Sequence, residues 1–130
     1  MTRDEIVLYW LKSAETDLSA METMPRSGHF VWALFLGHLV LEKTLKAGYV
    51  NAVEQNPPRT HDLLRIALQA GLELSESDRD FLDEVTTFNI KTRYPDYKSR
   101  FQRKATENFT HSYVRRIKDF RRWLVERIGS

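Results

Sequence analysis

The chain has 130 residues, 42% apolar and 12% aromatic, with 20 Lys+Arg against 18 Asp+Glu and no cysteine. That length suits a single domain around one hydrophobic core, about 100–150 residues being usual, so residues 1–130 read as one unit. The aromatic content argues against disorder, and the lack of cysteine excludes disulfides, thiolate metal sites and a cysteine nucleophile. The net charge of +2 hides an asymmetry, a balance of +8 over residues 91–130 against −6 over residues 1–90. Such a basic end suits a polyanionic ligand or self-association of opposite faces.

The opening Met1-Thr2-Arg3-Asp4-Glu5 puts acids where a signal peptide carries its basic region. Thr2 and Glu5 instead have the spacing of a capping box. Val7, Leu11, Ala14, Leu18 and Met21 follow as one helical stripe, widened by Trp10 and closed by Pro25 and Gly28. From His29 to about Tyr49 the chain is apolar on almost every face, the pattern of a central helix packed on several sides. Its longest apolar run, Phe30 to Leu41, is interrupted by His38. A membrane span needs roughly 20 apolar residues, so the expectation is a cytoplasmic protein without membrane contact.

Asn51 to Arg59, with Pro57-Pro58, reads as a loop. Thr60 then caps a short helix through Leu63, Leu64, Ala67 and Leu68, ending at Gly71. Ser75 starts a further helix that buries Phe81, Leu82, Val85 and Phe88, until Tyr94-Pro95-Asp96 breaks it. The last helix runs from about Thr106 to Ile128 on a stripe of Phe109, Tyr113, Ile117, Phe120, Leu124 and Ile128. The pattern predicts an all-α fold: an antiparallel bundle of four long helices plus one short helix.

A carboxylate-bridged metal site in such a bundle wants Glu-x-x-His pairs, and no histidine here has an acid three residues before it. His38 and Glu42 share a face one turn apart, which reads as a core histidine bonded to a neighbour. Neither a metal nor a cofactor is expected. Without a Gly-x-Ser-x-Gly elbow or a glycine-rich phosphate loop, any phosphate binding rests on Arg and Lys side chains or helix N-termini.

The segment Asn89 to Lys98 mixes cations with two tyrosines where the chain turns. Arg93 can clamp a phosphate bidentately, and Tyr94 or Tyr97 can stack on a base or donate a hydroxyl. The plainer alternative is a helix stop in which Arg93 pairs with Asp96 or a neighbouring acid. The basic residues Arg103, Lys104, Arg115, Arg116, Lys118, Arg121 and Arg122 are likewise either a solvated face or a phosphate-attracting patch.

Four stretches in order resemble the HEPN family, the higher eukaryotes and prokaryotes nucleotide-binding domain. They are Trp10 to Leu18, Trp32 to Ala47 with its Glu42-Lys43-Thr44-Leu45-Lys46-Ala47, Thr60-His61-Asp62-Leu63-Leu64, and Thr92-Arg93-Tyr94-Pro95-Asp96. The resemblance implies a bundle of four to five helices, commonly a homodimer, often paired with a minimal nucleotidyltransferase as half of a toxin–antitoxin pair. Some members are metal-independent ribonucleases with an Arg-x(4–6)-His motif. No such motif occurs here, and Lys98 stands where a spacing of four from Arg93 would place the histidine. Lysine, with a reference pKa of about 10.4 against 6.5, is a poor substitute for histidine in acid–base work.

The resulting expectation is a nucleotide or RNA-phosphate-binding module, with Arg93, Tyr94, Asp96, Tyr97 and Lys98 as its ligand-binding residues. The first alternative is a ribonuclease drawing its catalytic groups from Arg93, His61 and His111. The second is a scaffold that dimerises through Phe30, Trp32 or Phe109.

Overall fold

The first helix, α1 (Arg3–Thr23), opens on the expected capping box: Thr2 Oγ1 accepts from the Glu5 N–H and Glu5 Oε1 from the Thr2 N–H, both at 3.2 Å. The structure, a computed structural model, describes residues 1–129 apart from the side chain of Pro95. A 3-10 turn over Met24–Ser27 and Gly28, whose φ of 76° falls in the left-handed region that favours glycine, reverse the chain into α2 (Phe30–Ala52). The chain continues through α3 (Leu63–Gln69), α4 (Glu76–Arg93), α5 (Pro95–Lys104) and α6 (Glu107–Ile128).

Contacts between elements fix their directions. Trp10 meets Lys46, Asp17 meets Lys43 and Met21 lies beside Gly37, so α1 and α2 are antiparallel. Gly37 lies beside Ile117 and Gly48 beside Ile128, so α2 and α6 run the same way. Ser77 meets Arg116, Glu84 meets Tyr113 and Phe88 meets Phe109, so α4 opposes α6. The four long helices α1, α2, α4 and α6 thus form an up-down-up-down bundle. At Gly37 α2 packs tightly against both α1 and α6, since a Cβ there would stand 2.6 Å from Ile117 Cδ1 and 3.3 Å from Met21 Sδ.

The all-α class agrees with the sequence reading, and among the described residues no strand occurs. Two details correct it. Pro95 was expected only to stop a helix, leaving residues 96–105 unassigned; it also begins one, because proline at the first helical position loses no hydrogen bond. Tyr94 takes the extended φ −101°, ψ 124° that a residue before proline prefers, and α5 follows at once. The bundle therefore carries two short helices, α3 and α5, and not one. At α3, Asp62 is the cap in place of Thr60: its carboxylate accepts from the Arg65 N–H at 3.3 Å, while Thr60 Oγ1 accepts from the Asp62 N–H. No helix among the described residues is long and apolar enough to cross a membrane.

Candidate functional site

Helix α2 is apolar on most faces, yet it buries His38, Glu42 and Lys46, each one turn from the last. Buried polar groups need partners, and these come from the α2–α3 loop and from α4. His38 Nε2 lies 2.8 Å from the His61 carbonyl oxygen, and Asn89 Nδ2 of α4 lies 3.4 Å from His38 Nδ1. Glu42 Oε1 lies 2.6 Å from His61 Nδ1, and its Oε2 accepts from Lys46 Nζ at 3.2 Å. The loop that carries His61 is itself tied to α4, where Thr86 Oγ1 accepts from the Leu63 N–H at 3.1 Å.

These partners settle the tautomers. A carbonyl and a carboxylate only accept, so His38 carries its hydrogen on Nε2 and His61 carries one on Nδ1. His38 Nδ1 is then free to accept from Asn89. His61 has a side chain 53% exposed, and its Nε2 has no protein partner among the described residues. The result is a histidine held in orientation by a nearly buried carboxylate, with its second nitrogen available to a ligand.

Burial holds the His38 pKa below its ordinary 6.5, outweighing the opposing pull of the His61 carbonyl and Glu42, while the charges of His61 and Arg93 lower it further. Between that lowered value and 6.5 the unfolded chain binds more protons than the folded one, so stability falls as the pH drops through that window. The thermal midpoint should therefore decrease on acidification from about pH 7 to about pH 5. In His38→Asn that part of the decrease should be absent; an unchanged pH slope would remove His38 as its cause.

Arg93 ends α4 one turn beyond Asn89, on the side that meets His38, and is exposed. Its charge reaches His38, and among the described residues no carboxylate lies within ion-pair distance of it. The alternative of a pairing with Asp96 or a neighbouring acid is thus not met among the described residues, and the guanidinium remains available to an anion. Tyr94 and Tyr97 flank it, 57% and 51% exposed, with ring centroids 6.4 Å apart and edge to face. Asp96 is exposed in the first turn of α5. Lys98 turns back over the half-exposed Trp32 of α2, its Nζ 4.8 Å from the ring centroid.

The structure therefore brings Arg93 and His61 into one neighbourhood and separates His111 from it. His111 sits on α6, 3.7 Å from Glu107, in a groove with Arg115, Lys118 and Arg122. Glu42 and Asn89 are the site residues that the sequence reading did not assign. For Glu42 the signal is a run of ionisable residues one turn apart on an otherwise apolar helix, which demands polar partners elsewhere; for Asn89 no local pattern gives one. Among the described residues no group of three or more His, Asp or Glu side chains could hold a metal ion.

The family model of the HEPN domain matches residues 7–128. Neither a curated protein nor a solved structure matches the chain.

Proposed function

The chain belongs to the HEPN domain family, and from that premise we propose that it is a nucleotide or RNA-phosphate-binding module. The observation that carries this reading is Arg93: an exposed arginine with no carboxylate partner among the described residues, one turn from the Asn89–His38–His61–Glu42 network. An arginine left unpaired in the folded protein keeps its bidentate geometry for a phosphate. His61 Nε2, without a protein partner among the described residues, would contact a second phosphate oxygen or a ribose hydroxyl. Tyr94 and Tyr97 offer exposed rings for a base, and Lys98 adds positive charge. Asp96, exposed beside them, is placed to accept from a base or ribose group.

The same reading extends to partners. The module acts as a homodimer, supported by large apolar side chains left half exposed at Leu8, Trp32 and Ile90. It serves a nucleotidyltransferase as the other half of a toxin–antitoxin-like pair in the cytoplasm, and the exposed hydroxyls of Tyr94 and Tyr97 are open to modification by that partner.

A second reading, a metal-independent endoribonuclease, is favoured by one distance, the 2.6 Å between His61 Nδ1 and Glu42 Oε1. In that chemistry His61 Nε2 takes the proton of a ribose 2′-hydroxyl, and the 2′-oxygen attacks phosphorus. The 5′-oxygen leaves and takes a proton from solvent, giving a 2′,3′-cyclic phosphate and a 5′-hydroxyl end. Arg93 would neutralise the charge gathering on the phosphoryl oxygens.

One experiment addresses both. Labelled RNA is incubated with the protein in excess EDTA, and both binding and product ends are read. Arg93→Ala should weaken binding by about ten- to hundredfold, the worth of a charged hydrogen-bonded contact, with the thermal midpoint nearly unchanged. Undiminished binding would leave a scaffold. Cleavage that yields cyclic phosphate and disappears in His61→Ala would establish the nuclease; intact RNA bound by the parent protein would leave the binding module.

A further inference from the structure

On the side of the α4–α5 elbow away from His61 lies a groove of about 230 Å³ lined by Lys91, Tyr97, Arg100, Phe101 and Lys104. Lys91 and Arg93 are two positions apart, which turns them about 200° from each other around α4. The groove and the His61 side therefore flank the elbow, with the exposed rings of Tyr94 and Tyr97 between them. Tyr97, Arg100 and Lys104 project from one face of α5, at spacings of three and four residues, and buried Phe101 makes the floor.

Two of the three cations in this groove, Lys91 and Arg100, are not neutralised by a carboxylate among the described residues. Lys91 Nζ lies 5.7 Å from the Phe101 ring centroid, and Lys104 Nζ lies 5.6 Å from that of Phe109. A ring face holds an ammonium in place but adds no negative charge to cancel it. Among the described residues only Lys104 of the three cations has a carboxylate in ion-pair range, Glu84 at 3.6 Å. Lys91 and Arg100 have none, although the chain carries 18 Asp+Glu that could have served. Three cations converging on one concave surface, beside a half-exposed tyrosine, are the parts of a site that tracks a phosphate backbone while stacking a base.

We propose that this groove is a second phosphate subsite, so that the ligand is a single-stranded polynucleotide running over the Tyr94–Tyr97 crest and not a lone mononucleotide. One phosphate lies at Arg93, a neighbouring one lies among Lys91, Arg100 and Lys104, and the intervening base stacks on a tyrosine. This rests on the phosphate-binding reading of Arg93 for the first position only; the groove stands on its own cations.

The test is the salt dependence of binding of a fluorescently labelled ten-residue oligouridylate to the full chain. It compares the parent, Lys91→Ala/Arg100→Ala, Lys91→Arg/Arg100→Lys and Arg93→Ala. The double alanine variant should bind about tenfold more weakly at low salt, and its log–log salt slope should fall by about 0.7, one phosphate on a single strand. The charge-conserving variant should stay within about twofold of the parent, since the subsite reads charge. If Lys91→Ala/Arg100→Ala binds as the parent does while Arg93→Ala is impaired, the second subsite is overturned and the Arg93 reading stands. If Arg93→Ala is silent while the double alanine variant is impaired, the groove stands and the Arg93 reading fails. Full displacement of the oligouridylate by millimolar inorganic phosphate at constant ionic strength would also overturn the proposal, because the groove would then be a site for the free ion.

Discussion

Glu42→Ala should lower the stability of the protein by about 3–5 kcal/mol, the loss typical when one partner of a buried ion pair is removed. The carboxylate is only 8% exposed and serves two groups at once, His61 Nδ1 at 2.6 Å and Lys46 Nζ at 3.2 Å. Without it the Lys46 ammonium, on a side chain 10% exposed, keeps its charge with only the Trp10 ring, 5.5 Å from centroid to Nζ, as a nearby partner among the described residues. An uncompensated buried charge costs more than the lost attraction. Two comparisons isolate this cause. Glu42→Gln keeps the size and an accepting oxygen and should cost about 1–3 kcal/mol, the worth of a charged hydrogen bond. Lys46→Met should cost less than Glu42→Ala, because its stem stays packed and the remaining carboxylate keeps the His61 hydrogen bond. Urea midpoints give all three; a Glu42→Ala loss under about 1 kcal/mol would mean that solvent replaces the carboxylate at little cost. Nucleotide binding should weaken in Glu42→Ala even where the protein is fully folded, since His61 loses the contact that orients its ring.

Much of this network was visible along the chain, but not its closure. The periodicity of α2 exposes its role because a helix apolar all round has nowhere to go but the centre. The same periodicity places His38, Glu42 and Lys46 on one buried face, and elementary solvation then requires partners. Which partners is a tertiary question. His61 comes from a loop 19 residues beyond Glu42, and Asn89 lies 51 residues beyond His38; no local pattern joins them. The Thr60-His61-Asp62 stretch stands out in the sequence for a different reason, its family resemblance.

The α5 helix shows the opposite failure. Pro95 is a strong signal with two meanings, since the residue that cannot continue a helix is well suited to open one. Sequence reading took the first meaning alone. The apolar content of the segment could not correct this, because Phe101 is the one fully buried side chain of α5 among the described residues. The groove between α4 and α5 was hidden for the same reason: Arg100 and Lys104 share a face with Tyr97 only once the segment is helical.

That dependence on one side chain makes Phe88→Ala the second large effect. Phe88 is fully buried, stacked on Phe101 at 5.2 Å and packed edge to face on Tyr113 at 5.2 Å and Phe109 at 6.2 Å. It thereby joins α4, α5 and α6 at the base of the elbow. Truncating a buried phenylalanine costs about 3–5 kcal/mol through lost burial and the cavity left behind. The damage should not be uniform. A ten-residue helix is marginal without tertiary support, and α5 loses the ring that its one buried anchor stacks against. Amide exchange in Phe88→Ala should therefore rise across Pro95–Lys104 well before it rises in α1, whose contacts with α2 do not involve Phe88. Binding of single-stranded RNA should weaken in parallel, because Tyr97, Lys98, Arg100 and Lys104 lose their fixed distance from Arg93. Phe88→Leu, which keeps an apolar plug against Phe101, should cost about 1–1.5 kcal/mol and leave that exchange pattern near the parent's. Exchange that rises equally in α1 and α5 would show that α5 is held by other contacts, such as Lys98 over Trp32 and Lys104 on Glu84, and that Phe88 supports the bundle as a whole.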